Sequence, residues 1–166
     1  MGIVDKMAYL SENMEKEECM ANVGDIANYI IGILDVTPLK LQKLLYYTQA
    51  VCLVKYNKPA FDDEIEAWEY GPVIRKIYDK YKGRRTIIKP TKKTSNLDKD
   101  VMLSTDIALA HYGEMSAATL IRETHSEDPW INAYEEGKDN IITIQSMKKY
   151  YKKIYTFEKN ESKKRA

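Results

Sequence analysis

At 166 residues, 44% hydrophobic and 31% charged, the chain has the balance of one globular domain, not of a disordered segment. About two-thirds of the unfolded surface can be buried at this length, so neither disulfides nor metals are needed to hold a core. A formal net charge of +1 gives no bulk attraction to nucleic acid or membrane, and two cysteines are too few for a disulfide framework.

Residues 1–20 are polar, Met-rich and weakly periodic, and read as an N-terminal arm outside the domain of 21–158. Cys19 lies in it among carboxylates that raise a thiol's pKa, which opposes a reactive thiolate. The start lacks the positive charge and apolar run of a signal peptide, and no window approaches the roughly 20 apolar residues of a membrane span. Together with the cysteine usage this points to a cytoplasmic protein with no membrane partner.

The spacing of Ile26, Ala27, Ile30, Ile31 and Leu34 predicts a helix over 22–34. Thr37 then caps a second helix, with Pro38 at its first position, where no amide donor is required. This helix runs over 38–57 and carries two adjacent apolar stripes, Leu41, Leu45, Thr48 and Cys52 beside Leu44, Tyr47, Val51 and Val54. A helix contacted on several sides belongs at the centre of the core, with Cys52 a buried hydrophobe. Asn57-Lys58-Pro59 ends it.

Alternation around Ile65 and Ala67 predicts an extended segment over 64–70, with Trp68 and Tyr70 on one side. Gly71-Pro72 breaks it, and Pro72 opens a short helix to Tyr81. The Lys/Arg/Thr-rich stretch 82–96 is a loop containing a strand candidate, Thr86-Ile87-Ile88, that would form a hairpin of 85–89 with 64–70. A helix from Asp98 or Asn96 to Tyr112 turns Val101, Ile107, Leu109 and Ala110 inward and ends at Gly113. Ser116 caps a helix over 117–125, and Pro129 starts another that carries Trp130. A loop over 137–144 precedes a last helix, 145–157, and a charged tail, 159–166. The fold class is therefore mainly α, a single compact domain around the central helix with one short hairpin.

No catalytic, cofactor or metal motif stands out. His111, His125, Cys19 and Cys52 lack the spacing of zinc ligands, and no G-x-S-x-G, G-x-G-x-x-G or Walker pattern is present. Cys52 and His125 form a nucleophile pair only if folding assembles them. Acidic residues gather at Asp62, Asp63, Glu64, Glu66 and Glu69, where Glu64 and Glu66 share one face. Nine basic residues, among them Arg75, Lys76, Arg84 and Arg85, fall within 75–93 against Asp79 alone. Without a nucleic-acid-binding module to organise them, these basic residues do not argue for direct nucleic-acid binding. Both charged runs read as solvated faces or as partner surfaces. The thirteen tyrosines suit half-buried and interface positions, and in the doublets Tyr46-Tyr47 and Tyr150-Tyr151 one ring of each must leave the inward face.

Three ordered stretches carry a further signal: Thr37-Pro38-Leu39-Lys40-Leu41-Gln42-Lys43-Leu44-Leu45-Tyr46-Tyr47, then Glu66-Ala67-Trp68-Glu69-Tyr70-Gly71-Pro72-Val73, then Thr124-His125-Ser126-Glu127-Asp128-Pro129-Trp130. In order and spacing they resemble the Panacea antitoxin domain, the SocA-like, phage-associated GepA-like family, over roughly residues 22–155. The resemblance implies a helical domain, not an enzyme, that neutralises a cognate toxin by binding it. The alternative it leaves open is a phage or prophage protein acting on a host protein as a proteolytic adaptor or a defence inhibitor. In physical terms Gly71 permits a close turn, His125 can bond carbonyls or Glu127 at a helix end, and Trp130 brackets the junction behind Pro129.

Overall fold

A computed structural model describes residues 20–91 and 96–158. The arm up to residue 19, with Cys19, and the tail from 159 lie outside the described residues. Among the described residues seven helices and a three-stranded sheet follow in order: α1 Val23–Ile33, α2 Pro38–Tyr56, β1 Ile65–Trp68, β2 Gly71–Val73, α3 Arg75–Tyr81, α4 Lys99–Tyr112, α5 Ala117–His125, α6 Asp128–Ala133, β3 Ile141–Ile142 and α7 Ile144–Ile154. The mainly helical reading holds, and α2 is its axis.

Helix α2 starts as the sequence requires. Thr37 Oγ1 accepts from the Lys40 amide, Pro38 stands at the first turn, and Asn57 ends the helix with a left-handed φ of 57°. Every residue from Leu41 to Leu53 is buried. Helix α4 packs along α2 most extensively, and α7, α5, β2 and α1 close the other sides. That enclosure overturns the expectation for the first tyrosine doublet: Tyr46 and Tyr47 are both inside, because α2 has no outward face along that stretch. In the second doublet Tyr151 is buried and Tyr150 half-buried.

A helix buried all round must satisfy each of its polar side chains internally. Gln49 accepts from the Ala60 amide and donates to the Phe61 carbonyl, fixing the chain where it leaves α2. Gln42 does the same to Ile74 in both directions. On α4 the inward face is Val101, Ser104, Thr105, Ala108 and Tyr112; Ala110 is exposed and Ile107 and Leu109 are half-buried, a rotation from the expected face. The two inward hydroxyls return their hydrogen bonds to the carbonyls of Asp100 and Val101, so small polar residues can line this contact.

The sheet has the order β2-β1-β3 and is antiparallel throughout. Here the expected hairpin is corrected. β1 pairs not with 85–89 but with β2, through Glu66↔Val73, Ala67↔Pro72 and Trp68↔Gly71, and on its other side with β3, through Ile65↔Ile142 and Glu66↔Ile141. The cause is Gly71. Its φ of +102° lets the chain reverse over Glu69-Tyr70 alone, so β2 occupies that edge at once. Ile88 is left 84% exposed. Pro72 accordingly lies in an edge strand, where a missing amide donor costs nothing, and the following helix begins at Arg75. The loop expected over 137–144 contains β3, and Thr143 caps α7 by accepting from the Ser146 amide.

Candidate functional site

The three motif stretches come from distant parts of the chain and meet around Gly71. Lys43, in the first, is fully buried and donates from Nζ to the Pro72 carbonyl at 3.0 Å. Gly71, in the second, lies against it so closely that a Cβ there would stand 2.7 Å from Lys43 Cε and 2.8 Å from Thr124 Oγ1 of the third. Burial pushes the Lys43 amine down to about 7. Adjacent Gln42 grips Ile74, with Oε1 accepting from its amide at 2.8 Å and Nε2 donating to its carbonyl at 3.1 Å. From the far side Trp130 Nε1 donates to the Trp68 carbonyl at 2.9 Å. The β1–β2 hairpin is thus held at Trp68, Pro72 and Ile74 by α2 and α6.

The third stretch also closes the tyrosine core. Glu127 accepts a short hydrogen bond from the Tyr47 hydroxyl, and Tyr151 donates to Tyr46 at 3.1 Å. Tyr47 stacks on Tyr112, whose hydroxyl meets that of Tyr155. Burial pushes the Glu127 carboxyl up to about 7 against the pull of the Tyr47 and Tyr151 hydroxyls. Tyr47 holds Glu127, and no His125–Glu127 hydrogen bond is present among the described residues. His125 instead stacks on Trp130 at 4.0 Å, and its Nε2 is buried without a partner among the described residues. Pro129 is buried beneath, at the start of α6.

Most motif residues therefore face inward: Leu41, Lys43, Leu44, Tyr46, Tyr47, Gly71, Pro72, Val73, Thr124 and Pro129 are buried. Trp68, His125 and Trp130 are half-buried, and Tyr70 is 60% exposed at the hairpin turn. Tyr70 belongs to the turn after β1 and not to an extended segment with Trp68; Trp68 lies edge-on to Tyr78 and under the Arg75 guanidinium.

The charged runs are less free than their composition suggests. Arg75 forms a two-pronged pair with Glu66, at 3.0 and 3.1 Å, and a second pair with Asp139. Asp63, Glu64 and Lys76 line a shallow depression around that pair, while Asp62, Arg84 and Arg85 are exposed. Cys52 and His125 serve different neighbourhoods: Cys52 faces Ser104, and burial raises its thiol, whereas His125 packs on Trp130.

What the scaffold presents to solvent is a groove of about 410 Å³. Pro38 and Leu39 at the start of α2 form one wall, and Trp68, Tyr70 and Val73 of the hairpin another. Ile77 and Tyr78 of α3 form the third, and the chain leaving α3 adds Lys82 and Arg84. Leu39, Tyr70 and Tyr78 are 36%, 60% and 40% exposed. The sequence signalled Trp68, Tyr70, Val73 and Arg84, held Leu39 only within the first motif stretch, and did not signal Tyr78. Among the described residues no group of three or more His, Cys, Asp or Glu is placed to hold a metal ion, and no helix is long and apolar enough to cross a membrane.

Comparison with known proteins locates the chain. Residues 41–131 match the family described as antitoxin SocA-like, Panacea domain. Antitoxin SocA of Caulobacter vibrioides (strain NA1000 / CB15N) is 27% identical over 144 residues, covering 75% of this chain and 74% of that protein. No solved structure matches the chain.

Proposed function

We propose that this chain, which belongs to the SocA-like Panacea antitoxin family, neutralises a cognate toxin protein by binding it directly and stoichiometrically in the bacterial cytoplasm. The observation that carries this reading is the family match over 41–131, which contains Lys43, Gly71-Pro72 and Thr124, the residues that join into the hairpin's support. The reading needs no catalytic step. The rigid part of the signature serves to present a surface, and masking a toxin requires only that such a surface be complementary and preorganised.

Co-expression with the product of the adjacent gene tests this. The adjacent product alone is expected to arrest growth, the present chain to relieve the arrest, and the two proteins to co-purify at a fixed ratio. Toxicity that persists at equal expression, with no complex recovered, would overturn the reading.

A further inference from the structure

We infer that the groove between α2, the hairpin turn and α3 is where the partner protein docks, and that it receives an apolar segment bearing a carboxylate opposite Lys82 and Arg84. This rests on the antitoxin reading and assigns it a place and a chemistry.

The occupant's apolar character follows from the walls. Leu39, Tyr70 and Tyr78 keep a third or more of their surface in water while lining one concavity. Side chains of this kind, clustered in a groove, are what protein interfaces are built on, and tyrosine supplies contact area with few torsions to freeze. The one amide in the lining, Gln42, is already committed in both directions to the Ile74 backbone.

The occupant's charge follows from the rim. Glu69 is the single carboxylate in the lining, against Lys82 and Arg84. Lys82 reaches Asp79 only at 3.9 Å, in a pair where both side chains are more than half exposed. Arg84 lies over the Tyr81 ring, with no carboxylate within 4 Å among the described residues. Arg75, by contrast, is already paired with Glu66 and Asp139, whereas Lys82 and Arg84 stand in the groove lining with no closer carboxylate than Asp79 among the described residues. A partner carboxylate there would gain directed hydrogen bonds from Arg84 and electrostatic steering from the basic stretch behind it.

The walls also hold their shape before anything binds. Gln42, Lys43 and Trp130 fix the hairpin through its own backbone at Ile74, Pro72 and Trp68. Ordering cost on association is thereby reduced.

The test measures affinity of the full chain for the adjacent gene's product. Tyr70→Asp, Tyr78→Asp and Arg84→Glu change exposed groove residues, and circular dichroism and melting check that each still folds. Each is expected to weaken binding at least about tenfold, and Tyr78→Asp about thirtyfold or more, since buried aromatic anchors dominate interfaces. Selection for toxin variants that Arg84→Glu again neutralises is expected to return Asp or Glu changed to Lys or Arg. If wild-type chain does not bind at all, the antitoxin reading fails and this inference with it. Binding by wild type that all three folded variants retain overturns the inference alone. Suppressors that never change a carboxylate overturn the assigned charge. A synthetic peptide of residues 1–19 that binds the full chain, and loses binding to Tyr78→Asp, would make the chain's own N-terminus the occupant and overturn the partner as occupant.

Discussion

Gly71→Ala is expected to lower the free energy of unfolding by about 2–5 kcal/mol and to abolish partner binding with it. Two costs combine. At a φ of +102° any side chain is strained, and the added Cβ would meet Lys43 Cε at 2.7 Å and Thr124 Oγ1 at 2.8 Å. A surface lysine would swing away. Lys43 cannot, because it is enclosed and its Nζ holds the Pro72 carbonyl. Relieving the clash therefore breaks the bond that positions the hairpin. Chemical denaturation checks the size of the effect. Gly83→Ala is the control, because it also has a positive φ, 79°, but no atom within 4 Å of the added Cβ. It is expected to show the backbone cost alone, so equal losses in the two variants would contradict the packing account.

The second large effect concerns pH. Glu127 is raised to about 7 in the fold from an ordinary value near 4.5, and Lys43 is lowered to about 7 from near 10.5. A raised carboxyl holds more protons in the folded state. Its stabilising contribution is complete below the unfolded value and is lost as pH rises through about 7. A lowered amine holds fewer protons when folded, so its contribution grows as pH rises from about 7 toward 10.5 and is lost as pH falls through 7. Stability is therefore expected to fall between pH 5 and 7, by on the order of 3 kcal/mol from Glu127, and to recover between pH 7 and 9.5. Glu127→Gln keeps an acceptor for Tyr47 and is expected to remove the first limb. Lys43→Met is expected to remove the second at some loss of overall stability, since the Pro72 carbonyl loses its donor. Urea melts across this pH range read both limbs. A Glu127→Gln curve with the wild-type slope below pH 7 would contradict the assignment.

These two side chains also show what could be read from the chain and what could not. Helix α2 was legible because its cap, its proline and its apolar stripes agree, and the agreement of several local signals is what specifies an element. Lys43 and Gln42 stood in the first motif stretch, but the backbone groups that satisfy them belong to a hairpin some thirty residues away. The strand partners were not legible for a related reason. Thr86-Ile87-Ile88 has strand composition, yet pairing is a competition for an edge, and the turn at Gly71 fills that edge locally. Ile141-Ile142 takes the other edge with only two residues, too few for alternation to register. From its place at a helix end His125 could bond carbonyls or Glu127; the fold stacks it on Trp130 and gives Glu127 to Tyr47. In the candidate site the motif stretches supplied both the support and part of the groove, while Tyr78 of α3 joins that groove only through the fold.

Hydrogen exchange of the full chain, alone and saturated with the adjacent gene's product, measures the central claim most directly. Slowed exchange is expected at the hairpin turn, Glu69 and Tyr70, and over 78–84, with the enclosed amides of α2 unchanged. Protection confined to α7 or to the α4–α5 connection, with the turn and α3 exchanging as in the free chain, would contradict it.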